Sequence, residues 1–237
     1  MTKKISQGFF FGSAVLFLAV VFTFFGCQTN KKNDQTDTKL LFQGRSSLRL
    51  TAKDGTVMYV DPFAPGDYDL PADIILVTHD HPDHNQVDLV TQKPGCVVIT
   101  QNEALEGGKH NIFTIKGIAI EAVEAYNDWH KITEAVGYII TIDGIKVYAS
   151  GDTSTTGQMA SFNSKKIDYA FFCCDGVFNM DGEEAAACAR VIGAKHNIPY
   201  HAHPDFPDGM FDQETAERFT APNRLILVPG QEITLTS

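Results

Sequence analysis

The chain has 237 residues, 43% of them hydrophobic, and a formal net charge of −10, which suits one domain with a sizeable core. An acidic surface repels nucleic acid and anionic lipid, so no nucleic-acid partner is expected, while charge leaves a small-molecule or lipid substrate open. Five cysteines without CxxC or zinc-ribbon spacing point to buried thiols rather than to a disulfide framework.

Lys3 and Lys4 precede an almost uncharged apolar run from Phe9 to Phe25, the basic and apolar regions of an export signal. The run sits at the edge of the length that crosses a bilayer, so an uncleaved signal anchor is the other reading. Phe24-Phe25-Gly26-Cys27 is similar to a bacterial lipobox, with Phe24 where Leu is usual. Residues 1–26 are therefore expected to be an export signal. Residues 27–39 are expected to be a lipid-attachment cysteine with a flexible polar tether, and 40–237 the domain proper. The chain is accordingly expected to be an exported, membrane-anchored lipoprotein of the cell envelope. Loss of residues 1–26 removes two lysines and no acids, leaving 17 basic against 29 acidic residues and a charge of −12.

The domain opens with strand-like segments, Ser47 to Leu50 and Val57 to Val60, around a Lys53-Asp54-Gly55 turn. Asp61-Pro62-Phe63 closes the pair, and a loop with Pro65, Gly66 and Pro71 leads to the apolar run Ile74 to Val77, read as a buried strand. Residues 86–93 read as a short helix, Cys96 to Thr100 as a strand and Asn102 to Leu105 as a single turn. Ile112 to Ala125 gives one or two strands broken at Lys116-Gly117. Gly137 to Ile142 and Ile145 to Ala149 form a hairpin around Asp143-Gly144. Helices near 155–162, 183–193 and 212–219 then alternate with strands at 168–174, 197–200 and 224–228. Hairpins followed by β/α alternation predict an α/β fold of two sheets with helices outside.

The chemistry concentrates in Thr78-His79-Asp80-His81-Pro82-Asp83-His84-Asn85. Side chains two apart on extended backbone point the same way, so His79 and His81 can face one metal together. Pro82 turns the chain, and Asp83 and His84 are then available to a second ion. Imidazole nitrogens and carboxylate oxygens suit zinc, and also iron or manganese. Two further clusters lie at strand ends: Ser150-Gly151-Asp152-Thr153 and Ile198-Pro199-Tyr200-His201-Ala202-His203. A carboxylate such as Asp152 can bridge two cations, although Gly-Asp-Thr by itself is a common turn.

Thr-His-Asp-His-Pro-Asp-His-Asn resembles the HxHxDH signature of the metallo-β-lactamase superfamily. The likeness covers nearly all of residues 44–237, in the right order: Asp61-Pro62-Phe63, the histidine motif, Tyr126-Asn127, Gly137-Tyr138, Gly151-Asp152-Thr153, Ile198-Pro199-Tyr200-His201 and Val228-Pro229-Gly230. It is most similar to short bacterial members related to ascorbate-phosphate lactonase and to the phospholipase D that acts on N-acyl-ethanolamine lipids. The resemblance implies an αββα sandwich with two metals at one edge. Asp152 would then be the bridging aspartate and His201 the last metal histidine, on the second metal with Asp83 and His84. It also implies a hydrolase of an ester, lactone, amide or phosphodiester, with Asp83 also orienting the nucleophile. Two positions depart from the pattern. Arg45 stands where many relatives carry His, and the histidine expected to complete the first metal's ligands falls near Asn127. His130, three residues on, is either that ligand or a catalytic substrate contact.

His203 is expected behind the metals or facing substrate, while His196 and His110 are read as bland. Tyr126, Trp129, Asp175, Phe178 and Asp205 are pocket-wall candidates. Two other classes stay open: an iron-type oxidoreductase on the same fold, and a metal-binding surface lipoprotein without catalysis.

Overall fold

The computed structural model describes residues 37–66, 68–205 and 209–237. The expected export signal, Cys27 and the tether before Asp37 lie outside the described residues. Among the described residues, no helix is long and apolar enough to cross a membrane.

Twelve strands are described, in two six-stranded sheets. The first sheet contains β1 (Lys39–Gly44), β2 (Ser47–Thr51), β3 (Val57–Val60), β4 (Ala72–Leu76), β5 (Gln92–Ile99) and β12 (Gln231–Thr234), in the order β12-β1-β2-β3-β4-β5. The second contains β6 (Ile112–Ile115), β7 (Ile118–Glu124), β8 (Val136–Ile142), β9 (Ile145–Ala149), β10 (Tyr169–Cys173) and β11 (His196–Tyr200), running from β11 in order to β6. Both sheets are mixed: hairpin-linked strands pair antiparallel, while β3-β4-β5 and β9-β10-β11 are parallel. One apolar core joins their facing sides, with Leu48, Ile74 and Leu76 from the first and Ile120, Tyr138 and Val147 from the second. β4 lies between two parallel neighbours and is buried along its whole length, Asp73 included, as a central strand covered on both faces is.

The Asp143-Gly144 turn has φ of 51° and 82°, the left-handed pair that a two-residue hairpin turn needs. Its Asp143 carboxylate also accepts from the Thr38 hydroxyl at 2.6 Å and the Lys53 amide at 2.9 Å, latching the two sheets together at that end. Near the other end, the Tyr138 hydroxyl donates to the Val77 carbonyl at 3.0 Å, and His79 and Ala135 form a bridge between sheets.

Three short α-helices occur among the described residues: α1 (Gln101–Ala104), α2 (Gly182–Ile192) and α3 (Gln213–Arg218). Asp181 caps α2 by accepting from the Glu183 and Glu184 amides, and Gly193 ends it at φ 68°. Several expected elements differ. The helix over 86–93 is a single 3-10 turn at Val87–Leu89, since Pro82 and Pro94 leave too little chain and β5 begins at Gln92. The outer face of the first sheet is instead covered by the 62–71 loop, with Tyr68 and Leu70 packed against Tyr59 and Ile75. The helix near 155–162 is 3-10, over Gly157–Lys165. The strand at 224–228 is one bridge, Arg224 with Asn197, after which the chain crosses to the first sheet and becomes β12. β1 and β12 were not expected, and His196 is half-buried with its ring stacked on Tyr169 at 4.7 Å rather than bland.

Candidate metal centre

The centre collects chain ends from both sheets. The His79 to His84 segment leaves β4 of the first sheet; Asp152 follows β9 and His201 follows β11 of the second. Gly151 makes the approach possible: it has φ 62°, and a Cβ there would lie 2.6 Å from the Val136 carbonyl oxygen and 3.1 Å from the Thr78 Cβ. Three non-glycine residues here also take left-handed backbone, Arg45 (φ 50°), Asp61 (φ 46°) and His201 (φ 46°). Their amides are anchored to the carbonyls of Met210, Leu76 and Arg45, respectively, and such strain clusters at working sites.

Among the described residues, three groups of ligand-type atoms each lie within 4.8 Å of one another: His79, His81 and His130; His79, His84 and Asp152; and Asp83, His84 and His201. Asp152 spans the groups. Its Oδ1 is 3.4 Å from His84 Nε2 and 3.5 Å from His201 Nε2, and its Oδ2 is 4.0 Å from His79 Nε2. Asp83 Oδ2 lies 3.5 Å from His201 Nε2 and 3.7 Å from His84 Nε2. His79 Nε2, His84 Nε2, His201 Nε2 and Asp152 Oδ1 are buried without a hydrogen-bond partner. Orphaned polar atoms are costly unless something charged satisfies them. Four converging on one spot, all nitrogen or oxygen, fit divalent cations.

Behind the cluster, oxygens fix which ring nitrogen carries the proton. Thr78 gives its one hydroxyl proton to Asp61 Oδ2 at 2.8 Å, so at 3.0 Å its oxygen accepts from His79 Nδ1 and leaves His79 Nε2 with a lone pair. His84 Nδ1 donates to the same Asp61 Oδ2 at 2.8 Å and His130 Nδ1 to Asn127 Oδ1 at 3.0 Å, while His201 Nδ1 stands 3.1 Å from Asp175 Oδ2 as an ion pair outside hydrogen-bond geometry. This is how proteins orient metal-binding imidazoles. Asp61 serves two of the four, and its other oxygen accepts the Thr78 amide at 2.8 Å. Sequence reading gave Asp61 no role. The available signal was an acid placed straight after the apolar strand β3, where a solvated loop residue would cost nothing and a buried one needs partners.

Electrostatics point the same way. Burial disfavours charge on both Asp83 and Asp152, yet the surrounding imidazoles hold both well below the usual carboxylate range. Burial likewise opposes charge on His201, but Asp152, Asp175 and Asp83 push its pKa up to about 10. His84 is raised too, against burial, by Asp152 and Asp61. Burial and then His84 drive His79 well below its ordinary value, and burial lowers His130. The carboxylates thus demand positive charge between them, while His79 and His130 are held toward the neutral form that can donate a lone pair.

The family description of the β-lactamase superfamily domain matches residues 39–201. The chain belongs to the metallo-β-lactamase superfamily. A protein of Nitratidesulfovibrio vulgaris named a metal-dependent hydrolase is 32% identical over 234 residues, covering 84% of this chain and 95% of its own. A structure assigned as a metal-dependent hydrolase, from Parabacteroides distasonis, is 30% identical with a TM-score of 0.64, covering 81% of this chain and 93% of that one. A diiron β-hydroxylase from Streptomyces venezuelae shares the fold alone, at 14% identity and a TM-score of 0.60, with 84% of this chain and 54% of that one covered.

Against the superfamily pattern, both departures take a physical form. Asn127 reaches no ring of the cluster except from behind: it accepts from the Trp129 and His130 amides at 2.8 Å and donates to Phe178 O at 3.2 Å and Asn179 Oδ1 at 2.8 Å. His130 is the residue that meets His79 and His81, its Nε2 3.2 Å from His81 Nδ1. Arg45 is buried; its Nε donates to Asp83 Oδ2 at 3.0 Å, and its Nη1 to the carbonyls of Asp205 at 3.1 Å, Gly209 at 3.2 Å and His203 at 3.4 Å. Of the pocket-wall candidates, Trp129 and Phe178 line the cavity above the cluster. Tyr126 lines a neighbouring hollow, Asp205 contributes its carbonyl to Arg45, and Asp175 supports His201. The His203 ring is turned to the Asp205 amide at 3.1 Å.

Proposed function

We propose that the chain is a metal-dependent hydrolase that holds two divalent cations, zinc by preference, and cleaves an ester, lactone, amide or phosphodiester. The observation that carries this reading is the Asp152 carboxylate, turned with one oxygen to each side of a cluster of orphaned imidazole nitrogens. His79, His81 and His130 would hold one cation, Asp83, His84 and His201 the other, and Asp152 both. The names of the relatives above support the reading. Bound cations supply Lewis acidity and bring the pKa of a coordinated water down to the physiological range.

The residues do the rest. Arg45 draws on the lone pairs of Asp83, which leaves Asp83 a weak proton acceptor and suits it to orienting the nucleophile rather than deprotonating it. His130 is neutral, with its Nδ1 proton committed to Asn127, so it serves as a ligand and not as a general acid. Trp129, Phe178 and Pro82 line the cavity above the floor.

Metal analysis of natively purified protein tests this, together with turnover on generic esters, amides and phosphodiesters. Two zinc ions per chain with turnover, with metal content lowered and turnover abolished in each of His81→Ala and His84→Ala, is the expected result. Iron with oxygen consumption would replace the hydrolase by an oxidoreductase. One metal per chain without turnover would leave a non-catalytic binding protein. We further propose that residues 1–26 direct export and that Cys27 anchors the chain to a membrane; Cys27→Ser is expected to move the protein from the membrane fraction to the soluble one.

A further inference from the structure

The cavity over the cluster is small, about 250 Å³, at or below the low end of ordinary ligand pockets. Its wall is apolar, built from Pro82, Trp129 and Phe178, the two aromatic rings meeting edge-on with centroids 5.7 Å apart. Among the described residues lining it, Arg45 is the one lysine or arginine, and it is committed inward to Asp83 and three carbonyls. Around the mouth the surface hollows are lined by Glu124, Asp128 and Glu134 on one side and Asp80 on another. Lys131 is there too, bound to Glu134 at 3.0 Å.

Cations on the floor would draw negative charge to the scissile group itself. A second negative charge elsewhere on the substrate would meet an apolar wall and then acidic side chains, and would be desolvated without a partner. We propose that the substrate is a small, uncharged ester, lactone or amide whose apolar group sits between Trp129, Phe178 and Pro82, and that phosphate monoesters and carboxylate-bearing substrates are rejected. For the reaction this rests on the hydrolase reading above; for the binding preference it rests on the pocket.

The test compares p-nitrophenyl pentanoate with p-nitrophenyl hydrogen glutarate and p-nitrophenyl phosphate on the metal-loaded full chain. Alongside it, Trp129, the single tryptophan of the sequence, reports binding of pentanamide or glutaramate by its fluorescence. Pentanoate is expected to exceed the other two at least tenfold in kcat/KM, and Phe178→Ala to raise its KM severalfold. Burial of each added acyl methylene is expected to be worth about fourfold until the cavity is full. Equal or better turnover of glutarate or phosphate overturns the inference and leaves the hydrolase reading intact. If none of the three is cleaved, the fluorescence titration decides. Tighter binding of pentanamide upholds the inference, and equal or absent binding overturns it.

Discussion

Asp61→Asn should strip metals from a domain that still folds. The amide is isosteric, but it has one acceptor oxygen where the carboxylate offers two to three donors: the Thr78 amide, the Thr78 hydroxyl and His84 Nδ1, all at 2.8 Å. The Thr78 amide cannot reorient, so the asparagine oxygen stays with it and the NH₂ faces the other two. His84 must then accept at Nδ1, which moves its proton to Nε2, and the Thr78 hydroxyl must turn toward His79 Nδ1, which does the same there. Each histidine belongs to a different proposed metal site, and loss of such a supporting partner typically costs 10–100-fold in affinity, about 1.4–2.8 kcal/mol per ion. Losing a charge-assisted bond also costs the metal-free domain about 1.5–3 kcal/mol. The assay is competition with a chromophoric chelator well below the melting temperature, with circular dichroism confirming the fold. A variant that keeps two ions on a titration curve superimposable on wild type would refute the tautomer argument.

His130→Ala should lower metal content from two ions to one per chain, and Asn127→Ala should weaken that same ion without removing it; plasma emission analysis of dialysed protein distinguishes the two. Gly151→Ala combines a left-handed φ with a Cβ 2.6 Å from a carbonyl oxygen. It should cost about 2–5 kcal/mol and lower Tm by roughly 5–15 °C in calorimetry. Asp73 is buried and bonded to the Val57 amide at 2.9 Å, to Lys93 at 2.6 Å and to Lys116. Burial raises its pKa, but Lys116, Lys93 and that amide outweigh it and hold the carboxyl below the usual range. A depressed folded-state pKa gives stability that is present above the unfolded value near 3.9 and fades as pH falls through the folded one. Asp73→Asn should therefore cost about 1–2 kcal/mol at neutral pH and much less at pH ~3, read from urea melts at both.

Local patterns carried the sequence reading a long way. The hairpin strand Ile145 to Ala149 matches β9 because Asp143-Gly144 dictates its turn. The histidine motif led to a real cluster because its spacing is a property of one short segment. What was illegible is non-local. Gln231–Thr234 looks too polar for a strand, and only pairing with Lys39–Phe42, nearly the whole domain away, makes it one. Arg224 to Val228 has the β-branched, apolar look of a strand but leaves its sheet after one bridge. Asp61 stands in a matching motif, but periodicity cannot reveal that a buried acid has three donors waiting. The role of Asn127 depends on a loop 51 and 52 residues downstream.

That loop ties two tasks to one hinge. The Asn127 carboxamide grips His130 on one side and the backbone and side chain at 178–179 on the other. The aromatic jaws above the floor, Trp129 and Phe178, are therefore mounted on the same bracket as an imidazole of the first histidine group. Any guest bulky enough to prise the jaws apart drags that imidazole with it, so a change in gene sequence that enlarges the jaws for a larger guest will also tend to loosen the adjacent ion.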